Sequence, residues 1–366
     1  MKAFHCDGCG GLVFFENNVC MSCGLALGFL PDELDLSALK PREGDLWESL
    51  SAARPGGLFR MCGNSIDHGV CNWLIPADSP DAFCVSCRLN EMIPDLKVAG
   101  NRERWLRLEL AKRRLIYTLL KLHLPVVAQA DFPALRFRFL GESAGGKVVL
   151  TGHNEGCITM NIAEADDDVR EQRRVNLHEP FRTLLGHFRH EIAHYYWDRL
   201  IAGTPRLERF REAFGDERAD YDAALQLHYR SGPPADWAAR SVSAYASAHP
   251  WEDWAETWAH YLHIVDTIET AASFGLRLKP RDHPAADSMT ADPKAAAHEE
   301  AGFDLLLSTW FPLTYALNSL NRGMGLPDLY PFVLSGNALG KLRLVHEIIE
   351  EMRMPERTDA LAGKRE

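Results

Sequence analysis

Apolar residues recur at helical spacing from about Asn101 to His123, where Trp105, Leu108, Leu115, Leu119 and Leu122 share one face and basic residues fill the other. The pattern predicts an amphipathic helix with a solvated basic face, ended by Pro125. Leu135–Leu140 then alternates as a strand would. Lys147–Thr151 leads through His153–Gly156 into Cys157–Ile162, so a small sheet is expected, with Cys157 in its core. Asp166, Asp167 and Asp168 read as a solvated loop. After Pro180 the periodicity is helical to the end, broken by a Pro/Asp/Ala-rich stretch near 279–297 that reads as a surface loop. Tyr195, Tyr196 and Trp197 are expected to pack one of these helices, and Phe303–Leu334 reads as a core helix with a capping loop.

Composition adds bounds. With 366 residues, 46% of them hydrophobic, the chain can build one large domain and a smaller one. No run reaches the roughly 18 apolar residues of a membrane span, and the opening MKAFHCDGCG lacks the apolar stretch of a secretory signal. A cytoplasmic protein without a membrane partner is the expectation. A net charge of -11, with six Lys/Arg against twelve Asp/Glu in residues 1–93, argues against a nucleic-acid partner, which requires a basic footprint.

Nine cysteines in a reducing compartment point to metal rather than disulfides. Cys6-x2-Cys9 and Cys20-x2-Cys23 form one tetracysteine set, each pair followed by a glycine (Gly10, Gly24) that lets backbone N–H groups turn toward sulfur. That is a zinc-ribbon spacing. Cys62, Cys71, Cys84 and Cys87 form a looser second set. Four thiolates close the tetrahedral shell of a structural zinc in each case, so His5 and His68 are left out.

The segment His190-Glu191-Ile-Ala-His194 carries the chemistry. On a helix, residues four apart lie one turn apart on one face, which suits two imidazoles on one zinc. Glu191 points to the same place but is offset, where it can take a proton from the attacking water. A catalytic zinc keeps three protein ligands and an open position. Trp197 and Leu200 stand where a metzincin would have its glycine and third histidine, so the third ligand comes from elsewhere. Tyr245–His263 is the candidate source, offering Glu252, Glu256, His260 and His263.

This second segment resembles the gluzincin metallopeptidases, and within them the lethal-factor type, where a tyrosine seven residues before the ligand glutamate faces the metal and the helix reads E-x-x-A-E. The resemblance implies Glu252 as third ligand, Glu256 as an acid steadying a ligand histidine, and Tyr245 as a donor to the oxyanion. His249 and Pro250 depart from the pattern by interrupting the approach to the helix. Nearly the whole chain is similar to bacterial zinc-binding metallopeptidases that begin with a zinc-ribbon region. LGHFRHEIAHYYWDRL, HPWEDWAETWAHYLH and FPLTYALNSLNRGMGLPDLYPFVLS carry that likeness.

The expected fold is therefore α+β: a small β-rich zinc-ribbon region over 1–93, a mostly helical zincin-like domain with a small sheet over 94–350, and a charged tail over 351–366. The expected function is zinc-dependent hydrolysis of peptide bonds with one catalytic and two structural zinc ions. The expected partners are a peptide or protein substrate and a protein bound through the ribbon region. A catalytically silent zinc-ribbon scaffold and a zinc hydrolase of a non-peptide amide are the alternatives. Gly156–Ile162 offers itself as an edge strand onto which an extended substrate could add.

Overall fold

The computed structural model describes residues 2–127, 133–142, 149–176, 183–281, 287–298 and 301–362. The helix start expected at Pro180, residues 147–148 of the expected strand and part of the 279–297 stretch lie outside them. The chain divides into two compact units, one of Ala3–Gln172 with Thr183–Phe188, the other of Arg189–Glu366 with Arg173–Arg182 and the first two residues.

The first unit opens on a ladder of β1 (Phe4–His5) with β2 (Leu12–Val13). An antiparallel sheet follows in the order β3 (Ala26–Leu30), β4 (Asp35–Pro41), β5 (Leu46–Ser49), β6 (Leu58–Met61) and β7 (Leu74–Pro76). Leu30, Leu39, Phe59 and Leu74 form its buried face. A parallel bridge between Phe29 and Trp73 curls the sheet toward closure. Phe15, Phe29, Trp73 and Tyr117 interlock, with Phe29 and Trp73 ring centroids 4.7 Å apart and Phe15 and Tyr117 5.6 Å apart. Such aromatic contacts, edge-on for Phe15 against Phe29 and Tyr117 and tilted for Phe29 against Trp73, add to the apolar area they bury.

A single turn, α1 (Gly63–Ile66), lies between β6 and β7, and α2 spans Asn101–Lys121. Trp105, Leu108, Leu115, Leu119 and Leu122 are all buried. The basic face is not wholly solvated: Lys112 and Arg113 are buried as well. Lys112 pairs with Glu109 at 3.0 Å and with Asn90, and the Trp105 indole N–H also donates to Glu109. A charged stem enters a core only where such partners wait. The helix ends before Pro125 is reached, because His123 adopts φ 55° and Leu124 N–H donates to Leu119 C=O at 2.9 Å. That is a Schellman closure.

The second sheet has the order β10–β11–β9–β8, with β8 (Asn90–Met92), β9 (Arg136–Leu140), β10 (Gly152–Asn154) and β11 (Cys157–Asn161). Glu155 (φ 46°) and Gly156 (φ 77°) form the two-residue turn, so the first arm of the hairpin is 152–154 rather than the expected 147–151. The edge-strand expectation is overturned: β11 pairs antiparallel with β10 on one side and parallel with β9 on the other, leaving no open row of backbone groups. Asp166 does not lie in a free loop. It is held by Arg104 and Arg107, and Asp167 and Asp168 open the helix α3 (Asp167–Asn176), where negative charge is favoured.

The helix α4 (Leu184–Leu200) begins in the first unit, where Phe188 packs on Phe137 and Phe139, and continues in the second. The remaining helices are α5 (Arg206–Phe214), α6 (Tyr221–Ser231), α7 (Trp237–Arg240), α8 (Pro250–Ser273), α9 (Pro293–Ala296), α10 (Phe303–Gly323) and α11 (Gly336–Ala362). The fold is α+β. At the centre of the second unit α8 is buried on nearly every face, with Trp258 stacked on Tyr196 at 5.2 Å and Trp254 against Phe210 and Phe214. Among the described residues no helix is long and apolar enough to cross a membrane.

Candidate metal centres

Cys6 and Cys9 follow β1, and Cys20 and Cys23 follow β2. Gly10 and Gly24 adopt φ 72° and 76°, and their N–H groups return to the carbonyls of Cys6 and Cys20 at 2.8 Å. An L side chain would strain there. The Sγ atoms of Cys6 and Cys23 are 3.6 Å apart and those of Cys9 and Cys20 3.7 Å. A disulfide would require about 2.05 Å, whereas a tetrahedron with zinc–sulfur bonds of about 2.3 Å has edges of about 3.8 Å. Backbone N–H groups of Cys23 and Ser22 pull the Cys20 thiol down to about 6, whereas at Cys23 the Leu25 N–H is outweighed by desolvation and the three neighbouring sulfurs, which push that thiol up to about 12. Four such thiols share protons that a bound metal would release.

The second set is enclosed more completely. Cys62, Cys71, Cys84 and Cys87 are all buried, with 3.7 Å between the sulfurs of Cys71 and Cys84. Cys84 N–H donates to the Cys62 sulfur and Trp73 N–H to that of Cys71, each at 3.4 Å. Arg113 from α2 is buried beside them. Burial would lower its pKa, but the charges of Cys71, Glu109, Cys87 and Cys84 raise it. A buried guanidinium next to four sulfurs suits sulfurs that carry charge.

In the second unit, α4 and α8 bring His190, His194 and Glu252 together, with one ligand atom of each within 4.8 Å of the others. The two Nε2 atoms are 3.3 Å apart. Glu252 Oε2 lies 3.0 Å from His190 Nε2, and Oε1 lies 3.6 Å from His194 Nε2. Ligand bonds of about 2.0–2.1 Å at tetrahedral angles separate donors by about 3.3 Å, so the set fits zinc. Glu256 sits one turn beyond, its Oε1 2.8 Å from His190 Nδ1, which commits that nitrogen and leaves Nε2 facing the cluster. Ser243 in turn donates to Glu256 Oε2 at 2.7 Å.

The other candidates for third ligand go elsewhere. His260 Nδ1 is 2.5 Å from the Tyr330 hydroxyl, and His263 meets Arg189, which also binds Asp266. His249 and Pro250 do not disturb the approach to α8. His249 is its N-cap, Nδ1 accepting from Trp251 N–H at 3.1 Å, and Pro250 takes the first helical position, where a missing N–H costs nothing. Glu252 thereby falls in the first turn, where the helix dipole favours its charge.

Electrostatics point the same way. Burial alone would lower the His190 imidazole, but its bonds to Glu252 and Glu256 hold it well above its ordinary value. Burial would raise Glu252, yet the charges of His194 and His190 bring it down to about 2. Glu191, also buried, adds a third carboxylate. Two buried acids and the half-buried Glu256 beside two imidazoles form a pocket for a cation, and its arrival would displace the His190 proton.

Tyr245 stands in the 3-10 turn before α8, its ring 5.9 Å from that of His190 and its hydroxyl in the field of Glu252 and Glu191. Trp251 lies against the His194 ring, centroids 4.0 Å apart. Tyr221, on α6, was not singled out from the sequence, although its hydroxyl donates to Glu252 Oε1 at 2.7 Å. It stands 31 residues before its acceptor, so no local spacing signals it.

Among the described residues, two tetracysteine clusters and one His-His-Glu cluster mark a zinc-binding protein of α+β fold. Residues 101–348 match the family described as "Putative zinc-binding metallo-peptidase", and residues 3–98 match a zinc-ribbon domain. The chain belongs to that metallopeptidase family. It is 45% identical over 356 residues to uncharacterized proteins of Mycobacterium tuberculosis and Mycobacterium bovis, covering 96% of this chain and 96% of each relative. No solved structure matches it significantly.

Proposed function

We propose that the protein is a gluzincin-like peptidase of the lethal-factor type, with His190, His194 and Glu252 holding a catalytic zinc. Cys6, Cys9, Cys20 and Cys23 hold a structural zinc, and Cys62, Cys71, Cys84 and Cys87 hold another. We assign 1–93 to the ribbon region and 94–350 to the peptidase portion, acting in the cytoplasm on peptide or protein substrates. The observation that carries this reading is the convergence of the His190 and His194 Nε2 atoms, 3.3 Å apart, on the buried Glu252 carboxylate, whose Oε2 lies 3.0 Å from His190 Nε2.

A zinc ion bound there supplies Lewis acidity to the scissile carbonyl and acidity to water. Glu191, next to the first ligand histidine, takes the proton of the attacking water and returns it to the leaving amine. Tyr245 donates to the developing oxyanion. Glu256 holds the His190 ring in the tautomer that presents Nε2.

Metal analysis of the purified chain tests the reading. Three zinc ions per chain are expected, falling to two in His190→Ala. Two in both proteins would end the proposal of a third site. Glu256→Gln should retain the third zinc but bind it about 10–100-fold more weakly, measured by competition with a chromophoric chelator.

A further inference from the structure

Glu252 is 1% exposed, and its two oxygens are used differently. Oε1 accepts the Tyr221 hydroxyl at 2.7 Å, while Oε2 lies 3.0 Å from His190 Nε2. The terminal torsion of a glutamate is broad and nearly two-fold, so nothing intrinsic to the side chain distinguishes its oxygens. Resting on the reading that Glu252 is the third ligand, we propose that Tyr221 is a positioning residue: its O–H claims Oε1 and leaves Oε2 as the single oxygen offered to the metal.

The carrier of Tyr221 supports a dedicated role. No residue of α6 is fully buried. Tyr221, Ala224, Leu225 and His228 are its half-buried positions, at i, i+3, i+4 and i+7, so a single stripe attaches the helix. His228 meets Tyr245 at 5.8 Å. The Tyr221 ring is braced by His249 at 5.2 Å and Trp251 at 5.8 Å, the N-cap of α8 and the residue before Glu252. Asp220 caps the helix by accepting from Ala223 N–H at 3.0 Å, which fixes the turn that bears the tyrosine. Ring packing sets where the phenol stands, and the hydroxyl alone reaches the carboxylate.

Tyr221→Phe removes that hydroxyl and keeps the ring contacts. With the thiolate zinc sites left loaded, the third metal is removed from the full-length chain by chelation and replaced with Co(II). The variant should bind Co(II) about 10–100-fold more weakly than the wild type. Its visible absorption bands should shift as the carboxylate becomes free to use both oxygens. Equal affinity with a superimposable spectrum overturns the role of Tyr221 and leaves the metal site standing. Absence of a third metal in the wild type overturns both.

Leu227→Ala, on the exposed side of the same helix, should change nothing. An equal loss there would assign the effect to the helix as a whole and sink the proposal. Should Tyr221→Phe fail to fold, the wild type still decides the matter. Difference infrared spectroscopy on adding zinc should show the widely split carboxylate bands of a one-oxygen ligand, and a two-oxygen pattern overturns the assignment.

Discussion

Glu191→Gln should lower peptide hydrolysis by about 10²–10⁴-fold, the usual worth of a positioned general base, while the chain keeps its full complement of three zinc ions. The substitution is nearly isosteric and leaves His190, His194 and Glu252 untouched. What it removes is a basic oxygen: an amide accepts a hydrogen bond from water but cannot carry its proton to the leaving amine. Glu191 is buried beside His190, and its charge is felt by the hydroxyls of both Tyr221 and Tyr245. The measurement is turnover of a fluorogenic peptide library with zinc counted on the same preparation. Unchanged turnover would remove Glu191 from the mechanism. Loss of zinc together with activity would make it a ligand or a folding residue instead.

The parts of this site that were legible in the sequence are those set by local geometry. A four-residue spacing on a helix places His190 and His194 whatever surrounds them, and the glycine after each Cys-x2-Cys pair marks the backbone turn that Gly10 and Gly24 make. Glu252 was reached through its likeness to a known arrangement, because its partners are about sixty residues away in sequence. Tyr221 and Ser243 were not reached, since each is defined by one long-range hydrogen bond to a carboxylate.

Errors in the fold have the same origin. Lys112 looks like a surface lysine until Glu109 and Asn90 are placed beside it. The hairpin shifted because Glu155 and Gly156 form the tight turn, and β11 became an inner strand because β9 and β10 both chose it. Alternation along a strand reports which face is buried and carries no information on how many neighbours it has.

Cys84→Ser should unfold the ribbon region and release one zinc, leaving two per chain. Zinc-binding free energies of about 10–16 kcal/mol in small thiolate domains match or exceed the whole stability of an ordinary domain, about 5–15 kcal/mol. Losing one ligand from a buried set is therefore enough to tip the balance. If Cys84 were an unliganded core thiol, the cost would be that of a poorly paired buried hydroxyl, about 1–3 kcal/mol, and the zinc count would not change. Thermal melting, limited proteolysis and metal analysis together separate these outcomes. Cys9→Ser is the comparison, because Cys9 and Cys23 are exposed and water can replace a lost ligand there. Cys84 is sealed from water in a cluster with the buried Arg113, whose charge would be stranded once the thiolates opposite it are protonated. An unchanged zinc count in Cys84→Ser, with melting lowered only by that smaller cost, would show that these four sulfurs hold no metal.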